Sequence, residues 1–541
     1  MTNRKNFARS ALFACLALSA CKVGPNYVRP GPIASSTYKE AALFRPAAPA
    51  DAIDRGAWWA LFGDPDLDRL AEQVAIANQD VLVAEATYRQ ELGLVREQRA
   101  ALFPTVGVSA DYSRSGSLGT SGGTILPGTG VPGTGVPGTG TGTGGTGTGT
   151  GLGTNPGFGT NPGTGTGTGT GTGVGTGTGT TTTFISNGGA SNRFNIGASA
   201  SWAPDVFGGT RRGLESVRRS AEASAADLAN MRLSLQGSLV LDYLQMRSFD
   251  AERGVLDATI VAYRRDLEIT NNRYKVGVAG KTDVLQAETQ LLNAQVSSAD
   301  LMRQRGILEH AVAVLAGRAP GNLAIARRAD WQPVTPTPPP GIPSALLERR
   351  PDIAAAERRV AAANARIGVA VAAFYPNITL SASSSQSAGS LGSLFSTGAN
   401  IWSLGGNIAQ TLLDFGARRA RVAQARAVYD QTVAQYRSTT LVAFRQVEDF
   451  LLGVRLLNDE YGLQSRSAAA SSEAEQLTRN QYKAGQVSFT NVIVAETTAL
   501  SARRAAIQAG YARQASAAQL IQALGGGWTV ANAAPPVRPV R

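Results

Sequence analysis

The chain has 541 residues, a formal net charge of +12, two cysteines and one histidine. Cys15 and Cys21 both lie at the very start, which leaves no disulfide framework and no cysteine-rich metal site for the remainder. The positive charge is scattered and accompanies no nucleic-acid motif, so no nucleic-acid partner is expected.

Arg4, Lys5 and Arg9 precede an apolar stretch from Ser10 to Leu18. That stretch is too short to span a bilayer, which takes about 20 apolar residues. Leu18-Ser19-Ala20-Cys21 then resembles a bacterial lipobox. Residues 1–20 therefore read as a lipoprotein signal peptide, and Cys21 as the lipid-bearing first residue of the mature chain. The other reading is an ordinary signal peptide with a chance cysteine. Lys22 stands where an inner-membrane retention signal would place Asp, which favours the outer membrane. Acyl chains anchor a protein because each buried methylene contributes about 0.8 kcal/mol.

Residues 21–104 read as an N-terminal segment with the first helices, and 105–203 as a first strand pair. Val106, Val108, Ala110 and Tyr112 alternate with small polar residues, as do Phe194, Ile196, Ala198, Ala200 and Trp202. Between them, roughly 127–183, lies a Gly-Thr tract of low complexity that has no means of burying a core. Residues 204–330 read as a long helical hairpin, with helices from about Arg211 to Lys275 and from Thr282 to Ala316. A proline-rich connector, 331–343, cannot be helical. Residues 344–376 then give one more helix, and 377–412 a second strand pair with Ile378, Leu380 and Ala382, then Trp402, Leu404 and Ile408, in alternation. Residues 413–525 give a second long helical hairpin, about Ala417–Lys483 and Thr490–Leu524, before a tail at 526–541.

The order repeats, and so do short words within it. Ala101-Leu102-Phe103-Pro104 returns as Ala373-Phe374-Tyr375-Pro376, and Tyr274-Lys275-Val276-Gly277 returns as Tyr482-Lys483-Ala484-Gly485. The copies lie closer together at the second pair than at the first. This is the mark of one duplicated unit with an insertion, the Gly-Thr tract, in one copy. Ala287, Ala294, Leu301, Leu308 and Leu315 recur every seven residues, and so do Ile493, Leu500, Ile507 and Ile521 with Gln514 interrupting. Heptads point to coiled-coil packing. The glycine of each Tyr-x-x-Gly suits the positive φ just past a helix end. Thr282 and Thr490 are expected to cap the helices that follow.

No stretch after the leader is long and apolar enough for a membrane helix, so any membrane passage must use strands. The alternation fits a barrel wall, and equally a sheet with one wet face. Four strands cannot enclose a lumen, for which about eight are needed, so several chains would have to pool them.

With these residues in hand, the chain resembles the TolC-type outer-membrane efflux proteins, in particular their lipidated OprM/NodT-like branch. The likeness rests on Cys21-Lys22-Val23-Gly24-Pro25-Asn26-Tyr27, on Trp58-Trp59 with Phe62-Gly63-Asp64-Pro65, on Phe207-Gly208 and Phe415-Gly416, and on the two Tyr-x-x-Gly turns. The resemblance implies a mainly α fold with a β-barrel part. Its duplicated strand-strand-helix-helix unit would form a homotrimer with a 12-stranded outer-membrane barrel and a periplasmic helical barrel. It further implies a periplasmic adaptor, an inner-membrane resistance-nodulation-division pump as energy source, and no cofactor beyond the lipid on Cys21. The periplasmic tip and gate would then involve Tyr274, Gly277, Asp283, Tyr482, Gly485, Asn491 and Val494. In the family, acidic residues after the second turn ring the mouth. Here those positions carry Asn491 and Val494, and the equivalent of Asn491 in the first copy is Asp283. Asp283 is either the displaced acidic ring or simply a helix N-terminal residue favoured by the dipole. The function implied is a passive exit duct for drugs or other solutes. The alternatives are a protein-secretion duct, disfavoured by the lipobox, and a structural envelope lipoprotein, disfavoured by the alternating strands. An enzyme is not expected, since the chain has no histidine-based triad, metal-ligand cluster or phosphate loop.

Overall fold

A computed structural model describes residues 22–31, 55–116, 190–336, 350–396 and 400–526. Cys21, the leader, the Gly-Thr tract, residues 337–343 of the connector and Trp528 lie outside the described residues. Two compact units are present. A helical unit comprises the chain up to 106, 200–382 and from 404 onward, and a strand unit comprises 107–199 and 383–403.

After a short 3-10 helix at Arg55–Phe62, helix α1 runs Pro65–Ala77 and α2 runs Gln79–Ala100. Asp64 caps α1 through its carboxylate, and Asn78 caps α2 with hydrogen bonds from the Asp80 and Val81 amides. The long pair follows as α3, Gly209–Lys275, and α4, Lys281–Leu315. Then come α5, Pro351–Ala372, and the second long pair, α6, Ala417–Lys483, and α7, Phe489–Ala523. The long helices lie within two residues of the spans read from the sequence. Both repeats use helices of 67 and 35 residues. At 1.5 Å per residue the longer ones extend about 100 Å.

Each 67-residue helix begins at a left-handed glycine, Gly208 (φ 79°) or Gly416 (φ 94°), with an aspartate just upstream. Asp205 accepts from the Thr210 and Arg211 amides at 3.1 and 2.8 Å. Asp414 accepts from the Gly416 and Arg418 amides at 3.2 and 3.0 Å. The negative side chains thus meet the donor-rich helix ends whose N-cap glycines offer no side-chain acceptor. Hydrogen bonds from the Arg418 side chain and amide hold the Asp414 carboxyl down at about 2.

The main core forms where Trp58, Trp59, Phe62, Leu67, Leu70 and Val74 pack on Leu239, Tyr243, Leu244 and Met246 of α3. The tryptophan pair read as a family signature is therefore buried packing. Under it lies Arg247, fully buried, whose guanidinium donates to Tyr243 Oη (2.7 Å), Asp250 Oδ2 (3.1 Å) and Ala326 O (2.6 Å). A buried guanidinium is tolerable only with its donors filled in this way. Alanines let α5 approach closely: Ala355, Ala361, Ala363 and Ala365 are all buried. The heptad residues Ala287, Ala294 and Leu301 are buried as expected. Gln514, the polar break in the second heptad series, is also buried and donates Nε2 to Val334 O at 2.8 Å. It ties the connector to α7. His310 is exposed on α4.

In the strand unit and its roots, β1 (Thr105–Ser115), β2 (Ser191–Trp202), β3 (Asn377–Ala388) and β4 (Asn400–Ala409) form one sheet in chain order. Thr105 meets Ser201, Asp111 meets Asn195 and Ser115 meets Ser191, so β1 and β2 run antiparallel. Arg193 Nε donates to Ser387 Oγ at 3.0 Å across β2 and β3, the seam between the repeats. Val106, Val108 and Tyr112 are exposed on β1, as are Trp402, Leu404 and Ile408 on β4. Ile401 departs from the expected alternation, since it too is apolar and exposed. β1 and β4 end the strand order, so each has one edge without a partner among the described residues.

Candidate functional site

The two Tyr-x-x-Gly words close the long helices with one shared backbone motif. Val278 N–H donates to Arg273 O (2.8 Å) and Gly277 N–H to Tyr274 O (3.0 Å). In the second copy Gln486 N–H donates to Gln481 O (2.9 Å) and Gly485 N–H to Tyr482 O (2.9 Å). These 6→1 and 5→2 bonds define a Schellman end, with Gly277 (φ 74°) and Gly485 (φ 75°) in the left-handed position. The glycines are there for backbone reasons, because a Cβ is unfavourable at such φ.

The tyrosines differ in their surroundings. Tyr274 is 41% exposed, with the Lys281 ammonium 5.6 Å from its ring centre. Phe489 stands in the second copy where Lys281 stands in the first. The Tyr482 ring lies 5.4 Å from that of the buried Phe489, which packs with Ala287 and Val492. The Arg273 guanidinium of the first turn sits 4.7 Å from the Tyr482 ring. The structure thus brings the two turns together through Arg273 and Tyr482, a contact the sequence does not announce.

Thr282 and Thr490 do not cap their helices. The N-caps are Gly280 and Ser488, and both threonines fall inside the first turn. The expectation was off by two positions because the loop after each glycine is shorter than the sequence made it look. Asp283 occupies the third position of α4, where its carboxylate accepts from the Gly280 amide at 3.4 Å. Asn491 and Val494, by contrast, are exposed, Val494 by 61%.

An ionic cluster that sequence reading missed ties α3, α6 and α7 together. Arg479 Nη2 donates to Glu496 Oε1 at 2.6 Å and to Asp266 Oδ2 at 3.2 Å, and lies 3.6 Å from Glu475. Arg503 Nη2 donates to the other oxygen of Glu475 at 2.7 Å. A cavity of about 300 Å³ adjoins these groups, walled also by Val255, Thr259 and Tyr263. Glu496 is 4% exposed. Burial pushes its carboxyl up to about 7; the hydrogen bond from Arg479 opposes this, and the charge of Asp266 adds to it. The one available signal was spacing: Val492, Glu496 and Ala499 lie on a single buried helical stripe, where an acid is out of place.

A family model for outer membrane efflux proteins matches residues 168–318 and 342–526. The chain belongs to the outer membrane efflux protein family. It is 28% identical over 523 residues to the pyoverdine export outer membrane protein OpmQ of Pseudomonas aeruginosa, with 96% of each chain covered. It is 26% identical over 534 residues to the outer membrane protein OprJ of the same organism, again with 96% of each covered. Among solved structures, the outer-membrane channel OprN matches with a TM-score of 0.73 at 26% identity, covering 94% of this chain and all of that one (100%). The open state of the Neisseria gonorrhoeae MtrE channel matches with a TM-score of 0.74 at 25% identity, covering 94% and 98%. The fold is TolC-like and the protein is an outer-membrane efflux duct, similar to channels rather than to enzymes.

Two outcomes follow. Gly485→Val forces a branched side chain into the left-handed region, at a cost of about 1–2 kcal/mol. Amide exchange around residues 482–490 should accelerate about tenfold while the Trp58 core stays protected, and Gly485→Asn should do less. For Glu496, the folded protein holds a proton more tightly than an exposed glutamate does. The stability this contributes is complete below the ordinary glutamate range and is lost as pH rises through about 7. Glu496→Gln should therefore melt above the wild type at pH 8 by roughly 2–4 °C, the shift expected for about 1 kcal/mol in a large domain, and coincide with it near pH 4, below the ordinary glutamate range. Equal melting at both pH values would contradict the assignment.

Proposed function

We propose that three copies assemble into one passive exit duct that carries drugs or other solutes out of the cell. Each copy supplies four strands to a 12-stranded barrel and its long helical hairpins to a periplasmic helical barrel. The observation that carries this reading is the sheet. Among the described residues it has four strands, two unpartnered edges and exposed apolar side chains on β1 and β4. An open edge inside a bilayer leaves unmatched amides and carbonyls, which pairing β1 of one copy with β4 of the next removes. No helix among the described residues is long and apolar enough to cross a membrane.

The lipid on Cys21 anchors the duct, and no other cofactor is involved. A periplasmic adaptor meets the helix-hairpin ends, where Tyr274, Gly277, Tyr482 and Gly485 form the turns. An inner-membrane resistance-nodulation-division pump supplies the energy and selects the cargo. The tip constriction involves Asp283, with Asn491 and Val494 at the positions where related ducts carry acids.

The function is tested by deleting the gene and measuring susceptibility to a panel of drugs, dyes and detergents, with the gene restored in a control strain. Increased sensitivity to several compounds, reversed by the restored copy, is expected. An unchanged panel, together with no conductance from the purified protein in planar bilayers, would sink the duct. In the same bilayers Asp283→Asn should reduce cation preference. If the preference stays put, Asp283 is a helix-end residue and nothing more.

A further inference from the structure

Residues 22–31 form no helix or strand, yet they are gripped from two sides. On the first side is α3. Val23 N–H donates to Phe207 O at 3.3 Å. Arg212, only 1% exposed, donates Nε to Val23 O (3.1 Å), and Nη2 to Gly24 O (3.1 Å) and Asn26 Oδ1 (2.9 Å). Its Nη1 donates to Glu215 Oε2 at 2.9 Å, and Lys22 Nζ reaches the same carboxylate. On the other side is α5. Asn364 Nδ2 donates to Pro25 O at 3.1 Å, and Tyr27 Oη to Glu357 Oε1 at 3.1 Å. Gly24 (φ 90°) lies so close that an added Cβ would stand 2.5 Å from Gly368 Cα. A Cβ on Gly368 would in turn meet the Arg212 side chain at 2.9 Å.

A buried guanidinium is costly unless its donors are filled. Three of the four hydrogen bonds from Arg212 go to this strap, and two of those go to backbone carbonyls. Arg212 therefore recognises mainly the path of the chain, with the Asn26 side chain as the one side-chain partner in the strap. That path starts two residues after Cys21. It begins against Phe207, which lies between the end of β2 at Trp202 and the start of α3 at Gly209.

We infer that Arg212 is the positioning residue for the lipid-bearing N-terminus. By holding Val23 to Asn26 between α3 and α5, it fixes the lipid attachment point within two residues of the strand-to-helix junction. Ten undocked residues could stray roughly 33–36 Å, whereas two allow about 7 Å. The docked strap also bridges the repeats, since α3 belongs to the first and α5 to the second. The inference rests on the reading that Cys21 is lipidated.

Hydrogen exchange with mass spectrometry on the full-length protein, purified with its lipid, tests this. In Arg212→Gln, amides of residues 22–31 should exchange about 10- to 100-fold faster, while core residues 239–246 remain as in the wild type. Arg212→Lys should restore part of the protection, and Asn26→Ala should lose a smaller part. Unchanged exchange at 22–31 in Arg212→Gln overturns the inference, as does faster exchange shared equally by the core. Mass analysis of the N-terminal peptide separates the two claims. A lipidated Cys21 above a strap that ignores Arg212 overturns the positioning role alone. An unmodified Cys21 overturns the lipid reading and the inference with it.

Discussion

A bilayer core holds no water to satisfy backbone amides and carbonyls, and that constraint underlies the duct. It forbids the lone four-stranded sheet of this chain from standing in a membrane with β1 and β4 unpaired. It also explains why the strands carry bulky apolar residues such as Val108, Trp402 and Leu404 at exposed positions. In water such side chains would be a liability. Facing acyl chains they are the favourable surface.

The helical part answers a different demand. A helix of 67 residues cannot bury itself by amphipathic packing on a single globular core, and its neighbours must follow it along its length. Small residues make that possible, with Ala223, Ala226, Ala361 and Ala365 allowing close backbone approach. The ends are then set by electrostatics and by chirality. Asp205 and Asp414 satisfy the starting amides. Gly277 and Gly485 take the left-handed turn that closes each end. Duplication explains why both copies use the same devices. Divergence shows where the copies meet different neighbours, with Lys281 over Tyr274 in one and Phe489 against Tyr482 in the other.

Polar groups buried among these helices fall into a few networks, each joining segments far apart in the chain. Arg247 joins α3 to the stretch that follows α4. Arg479 joins α6 to α3 and α7. Arg212 joins the N-terminal strap to α3. In each an arginine supplies several donors in a fixed fork, which suits it to fastening more than two elements at once. In the Arg479 cluster, burial of Glu496 is the main reason it keeps its proton to near neutrality, with the charge of Asp266 adding to it and Arg479 opposing it.

What repeats locally was legible along the chain. Alternation of period two marked the strands, seven-residue spacing marked the helical stripes, and each Tyr-x-x-Gly marked a helix end. These features depend on neighbours within a few residues, so they are legible along the chain. The threonine caps misled because a cap depends on loop geometry to within one residue. Tertiary structure alone decided the pairing of β2 with β3, the meeting of Arg273 with Tyr482, and the partners of Arg212, Arg479 and Glu496. Apart from Glu215 and Glu475, which lie one turn away on the same helices, those contacts span from 17 to 213 residues of chain and have no period, so only the folded backbone brings their atoms within bonding distance.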